Sequence, residues 1–191
     1  LLEVPPLLCA FEAPGEAAFD ALQALCRRRS KELPLDPIWY WAVLASLTEE
    51  QRGSAGKANR LPRAISQETQ QRLLLLHGAQ SGDEGDVAAS ADSQVALLAE
   101  EFGLVGVVPL LECLLRAWTL NCFEHSEVPR GHATYFIPSF ISHSCFPSAI
   151  WFLSGESGDR FVLRTRRNLA AGEEVSISYL SEEALLETAP K

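Results

Sequence analysis

At 191 residues the chain is long enough to bury a sizeable core, and its length suits one domain or two small ones. A hydrophobic content of 47% with 21% charged residues matches ordinary globular usage. The net charge of −9 argues against a general nucleic-acid binder, which needs a basic surface to neutralise phosphates; it suits a basic partner such as a lysine-rich protein tail, or simply keeps the chain in solution.

The opening residues 1–10 are apolar but carry Pro5 and Pro6 and no basic lead-in, so they do not read as a signal peptide. No run reaches membrane-spanning length, and no membrane or direct nucleic-acid contact is expected. The chain starts with leucine and contains no methionine, as expected of a piece of a longer protein. Residues 1–122 read as a mainly helical region. Over 17–29, Phe19, Leu22, Leu25 and Cys26 share one helical face, and Arg27, Arg28 and Arg29 at its end complement the helix dipole. Pro34 and Pro37 precede a second helix over 38–47. Its adjacent Trp39, Tyr40 and Trp41 cannot all share a face, so at least one is expected at the surface or against another unit.

A third helix is expected over 62–77, ending at His77-Gly78. The acidic, glycine-bearing stretch 79–92 reads as a mobile loop. Helices over 93–102 and 109–118 follow, the second opened by Pro109. From Asn121-Cys122-Phe123 onward the helical period gives way to short β-runs, so the fold class is α+β, with residues 123–191 as the β-rich part. Two apolar runs, 149–153 and 161–163, flank a polar glycine-bearing segment and read as a hairpin. Ala171-Gly172 then turns the chain into Val175, Ile177 and Tyr179, which alternate with serines at a strand period.

Five cysteines, Cys9, Cys26, Cys113, Cys122 and Cys145, are scattered without C-x-x-C spacing, so neither a zinc site nor a disulfide framework is expected. That usage favours a reducing, intracellular compartment, cytoplasmic or nuclear. Cys145 with His125 or His132 is a conceivable hydrolase dyad, but no oxyanion turn or orienting partner accompanies it.

Two strings carry a resemblance. Ser142-His143-Ser144-Cys145-Phe146-Pro147 resembles the Asn-His-Ser-Cys-x-Pro-Asn signature of SET-domain methyltransferases, and Gly172-Glu173-Glu174 followed by a strand ending in Tyr179 resembles that family's second signature. The resemblance covers 121–180, the C-terminal half of the SET fold. Asn121-Cys122-Phe123 after a helical segment is similar to the SET-and-MYND (SMYD-like) branch, in which a helical insertion precedes that half.

The resemblance implies methyl transfer from S-adenosylmethionine to a lysine of a protein substrate, histone or non-histone. In that fold one segment threads under another, so the two signatures meet. Aligned reactants supply much of the rate in such a displacement, and the positive sulfonium makes neutral amine available without a dedicated base. Tyr179 matches the family's catalytic tyrosine, the alternative being a buried strand tyrosine. Ser142 and His143 match cofactor-holding positions, although a histidine beside a turn can equally be structural. Cys145 matches a zinc-site cysteine whose partners this chain lacks, and is expected to be a buried thiol. Ser142 and Ser148 stand where the family has asparagine, and no G-x-G string is present, so a SET-fold binding scaffold without catalysis is the competing expectation.

Overall fold

Two prolines near the start, Pro5 and Pro6, decide how the N-terminus is used. They cannot donate to a sheet ladder or continue a helix, so they split the first eleven residues into strands β1 (Leu2–Val4) and β2 (Leu8–Phe11), which serve different sheets. The structure, a computed structural model, describes residues 1–53, 61–78, 94–127, 129–155 and 160–180. The expected mobile loop 79–92 lies outside the described residues. β1 and β2 give the region expected to be mainly helical, 1–122, a stranded start, because their short, proline-interrupted sequence carries no strand period to read.

The helices follow. α1 (Ala17–Arg28) buries Phe19, Leu22, Leu25 and Cys26, the face its spacing prescribes. α2 (Pro37–Ala45) starts where the Asp36 side chain accepts from Ile38 N–H (3.3 Å) and Pro37 occupies the first turn. Short α3 (Glu49–Arg52) opens on a capping box from Thr48 and Gln51. α4 (Gln67–Leu74) is capped by Ser66 and is shorter than expected, because residues 62–66 are not helical. α5 (Gln94–Phe102) and α6 (Val108–Asn121) complete the layer. α2 lies at its centre, with Tyr40 and Trp41 buried against neighbouring helices. The Trp118 indole donates to Ser46 Oγ (2.8 Å), which donates to the Ala42 carbonyl (2.7 Å), so the indole N–H of α6 is satisfied inside the core.

The rest is β-structure. β3 (Cys122–Glu127) and β4 (Arg130–Thr134) form an antiparallel sheet with β2, in the order β2-β4-β3. β6 (Ala149–Ser154) and β7 (Arg160–Thr165) are the expected hairpin, and β1 adds to β7. β5 (Ser142–His143) pairs in parallel with β8 (Ser176–Ile177). A second, aromatic core holds Tyr135, Phe161, Phe123 and Trp151, with Phe123 edge-on to the other three at 5.1–5.7 Å between ring centres. Gly131 is required where Phe11 crosses the sheet: any Cβ there would strike the Phe11 ring, which reaches over to His125.

Of the three adjacent aromatics, Trp39 stacks on His132 of β4 (4.6 Å, 16° between planes). Beside it Arg130 Nη1 donates to Asp36 Oδ2 (2.5 Å), tying β4 to the start of α2. Both ring nitrogens of His132 are buried and, among the described residues, have no hydrogen-bond partner. Burial first, and the Arg130 guanidinium second, hold its imidazole below the ordinary histidine value, with Glu124 and Asp36 pulling the other way.

Two outcomes follow from this packing. Phe161 is fully buried, so Phe161→Ala should cost about 3–5 kcal/mol of unfolding free energy, seen as a lowered urea midpoint. His132 is held neutral in the fold but titrates near the usual ~6.5 when unfolded, so its contribution is complete above that value and is lost as pH falls below it. Urea midpoints should therefore drop on acidification from pH 7.5 to 5.5, and His132→Phe, which keeps a ring against Trp39, should flatten that drop.

Candidate functional site

Backbone and side-chain hydrogen bonds join the two motifs. Ser142 is opposite Ser176 and His143 is opposite Ile177 in the parallel pair, and Ser144 N–H donates to the Ile177 carbonyl (2.9 Å). Ser148 closes the crossing from the other end: its N–H donates to Ser176 Oγ (3.2 Å) and Ser176 N–H donates to Ser148 Oγ (2.9 Å). Serines serve here because each hydroxyl both accepts and donates; the Ser148 hydroxyl donates onward to the Glu174 carbonyl (3.4 Å).

Tyr179 follows directly. Its backbone N–H donates to His143 Nδ1 (3.0 Å) across 36 residues, and the two rings lie 5.3 Å apart. An Nδ1 that accepts must be unprotonated, so the proton of the neutral ring sits on Nε2, which faces Cys145 Sγ at 3.5 Å. The Tyr179 hydroxyl donates to the Ile141 carbonyl (2.5 Å). The tyrosine lies past the end of β8 and is 61% exposed, so it is not a buried strand residue. Cys145 is exposed too, which corrects the expected buried thiol. Its imidazole neighbour is His143, whereas His125 packs on Phe11 and His132 on Trp39, so neither member of the conceivable hydrolase dyad meets the thiol. Cys26 and Cys122, by contrast, have thiols pushed up to about 11 by burial.

The Gly-Glu-Glu string does different work at each acid. Glu173 accepts from Ala170 N–H (3.1 Å) and from Arg167, and these partners hold its carboxyl below the usual range. Glu174 accepts from the Ser142 hydroxyl (2.6 Å). The Ser142 side chain is thus engaged inside the site.

A cleft of about 440 Å³ opens beside Tyr179, lined among others by Leu120, Phe123, Glu124, Trp151 and Leu180. Ser142 and His143 do not line it, so Tyr179 belongs both to the corner they form and to the cleft. Trp151 is held by its indole N–H donating to the Ser178 carbonyl (3.2 Å). Sequence reasoning did not single out Glu124, Trp151 or Ile141; the nearest signal was Asn121-Cys122-Phe123, which immediately precedes Glu124.

S-adenosylmethionine, an amphipathic cation, fits the corner beside Tyr179 in its chemistry: an exposed serine hydroxyl and imidazole lie next to the exposed Glu174 carboxylate. The residues that could hold it are Ser142, His143 and Tyr179, with Ser142 offering acceptor capacity while its proton is given to Glu174.

Comparison with known proteins agrees with this geometry. Over 52 residues, 26% of its length, the chain is 40% identical to Histone-lysine N-methyltransferase ATXR4 of Arabidopsis thaliana, and that stretch is 15% of the Arabidopsis protein, so the chain spans only a small share of this relative. Residues 21–180 match the family described as SET domain, reaching well before the region 121–180 in which the motifs lie. With most of its length matched, and with the two signature strings joined side by side in a mixed helix-and-sheet fold, the chain belongs to the SET domain family.

Proposed function

We propose that this chain is the site-bearing part of a protein-lysine methyltransferase that uses S-adenosylmethionine. The observation that carries the reading is that Tyr179 is shared between the Ser142–His143 corner and a cleft that those two residues do not line. A displacement needs its two reactants brought to one group from different sides. When bound, S-adenosylmethionine supplies an electrophilic methyl group on a sulfonium.

The chain's own residues then have distinct tasks. His143 holds the Tyr179 backbone through Nδ1, fixing where the phenol stands. The Ile141 carbonyl takes the phenolic proton, leaving the oxygen's lone pairs directed to whatever amine or methyl group enters. Trp151, Phe123 and Leu180 line the approach with apolar surface, which keeps water from the step. The helices before Asn121 support the SET-and-MYND branch. The net charge of −9 and the similarity to a protein named as a histone-lysine methyltransferase support a basic protein tail as substrate, met inside the cell where scattered cysteine thiols stay reduced.

One observation favours a second reading, a SET-fold scaffold that does not catalyse: the Ser142 hydroxyl is spent on Glu174 and stands where the family has an amide. Calorimetry with S-adenosylmethionine separates the two, since tight binding excludes the scaffold.

On the catalytic reading, Tyr179→Phe should lower transfer of radiolabelled methyl to a lysine-rich tail about a hundredfold, the scale of a misaligned reaction; full activity in the variant removes the role assigned to the hydroxyl. Ser142→Asn adds an amide donor at the corner and should tighten cofactor binding about tenfold, the worth of one hydrogen bond. A weaker or unchanged calorimetric Kd would show that Ser142 does not face the cofactor.

A further inference from the structure

The net charge belongs to the chain as a whole, and one surface departs from it. In the β1-β7-β6 sheet, Trp151 and Leu153 of β6 and Phe161 and Leu163 of β7 enter the aromatic core. Alternation sends their neighbours to the other face. There β7 carries Arg160, Val162 and Arg164, with Phe152 of β6 opposite Val162 and the Arg164 guanidinium 6 Å or less from the centre of its ring, at 5.8 Å. Arg166, just past the strand, continues the row, its N–H donating to the Ser148 carbonyl (2.9 Å).

All three arginines are exposed, and among the described residues no acid forms an ion pair with them. Elsewhere acids take arginines up, as Glu68 does Arg72 and Glu173 does Arg167. Among the described residues of the three strands, this face holds one acid, Glu3 of β1, which is opposite Val162. A strand rises about 3.3 Å per residue, so the backbones of Arg160 and Arg164 are about 13 Å apart and those of Arg164 and Arg166 about 7 Å. An extended peptide has the same pitch and turns every second side chain to one face. Laid along β7, it meets the three guanidiniums with acids at its first, fifth and seventh positions. Its third position falls over Val162, between Glu3 and the 40% exposed Phe152, where an apolar side chain suits and a carboxylate does not.

A guanidinium accepts a carboxylate or a phosphate as partner. The apolar break in the row separates the two, because a nucleic acid offers a phosphate at every step, and the charge of −9 repels a polyanion at long range. We infer that the outer face of the β1-β7-β6 sheet docks an extended acidic segment of a partner protein, its carboxylates in register with Arg160, Arg164 and Arg166 and an apolar side chain at Phe152. None of these side chains lines the cleft beside Tyr179, so docking here does not require methyl transfer.

The test is fluorescence anisotropy of the full chain at low salt with dye-labelled, end-blocked seven-residue peptides. One has glutamate at the first, fifth and seventh positions, valine at the third and serine between. A second is its reversal, for a peptide running the other way along β7, and a third has the three glutamates side by side. One of the two ordered peptides should bind about fivefold tighter than the clustered one, the worth of an exposed ion pair held in register. Exchanging its valine for serine should weaken it severalfold. The triple variant Arg160→Gln, Arg164→Gln, Arg166→Gln should lose the preference, and the corresponding lysine variant should keep part of it, with thermal unfolding of both at that of the parent. The peptide comparisons use the parent alone, so they decide the matter even where a variant does not fold. Equal binding of ordered and clustered peptides, a preference that survives the glutamine variant, or no saturable binding overturns the inference. A thymidine heptanucleotide that binds tighter than either ordered peptide would assign the face to nucleic acid and overturn it as well.

Discussion

The parallel pairing of β5 with β8 is the contact on which the site depends. Each strand is two residues long, too short to persist alone, since even a two-stranded hairpin is marginal in water. What stabilises the pair is its surroundings. Ile177 is fully buried in the aromatic core, Ser148 and Ser176 exchange backbone-to-hydroxyl bonds, and the Ser142 hydroxyl reaches Glu174. Because side chains alternate along a strand, a slip of one residue would turn Ile177 out of the core and Ser176 into it. The buried isoleucine therefore sets the register that lets Tyr179 N–H find His143 Nδ1.

Around that crossing the molecule is built in layers. The helices pack on the β2-β4-β3 sheet, where Trp39 stacks on His132 and Asp36 receives Arg130. The aromatic core joins residues of the same sheet to those of the β1-β7-β6 sheet through Phe123, Tyr135, Trp151 and Phe161. The two N-terminal strands are divided between these sheets, so the start of the chain ties both to the C-terminal motifs. Strand β3 carries the consequence to the site. It alternates, so Phe123 enters the aromatic core while Cys122 packs against the helical one, and β3 also supplies part of the cleft wall.

Charge is distributed to match. Two basic side chains are paired with acids: Arg167 with Glu173, and Arg130 with Asp36. These exposed or half-exposed pairs add little to stability. An overall charge of −9 is complementary to a basic partner.

Much of this was legible in the residues themselves. The helical face of α1, the start of α2 after Asp36-Pro37, and the β6–β7 hairpin follow from periodicity and local capping, which depend on neighbours in sequence. The two signature strings and Tyr179 were visible for the same reason. Only the folded chain decided the rest. Strands β1 and β2 exist because β7 and β4 offer them edges, and nothing local in a proline-broken apolar run announces that. Cys145 is exposed and meets His143, Tyr179 lies beyond its strand, and Glu124 comes to share a cleft with it. The placement of Tyr179 results from long-range pairing, in which residues 28 to 36 positions apart become hydrogen-bond partners. Such contacts are set by which surfaces can be buried together, and a single sequence records the residues but not the juxtaposition.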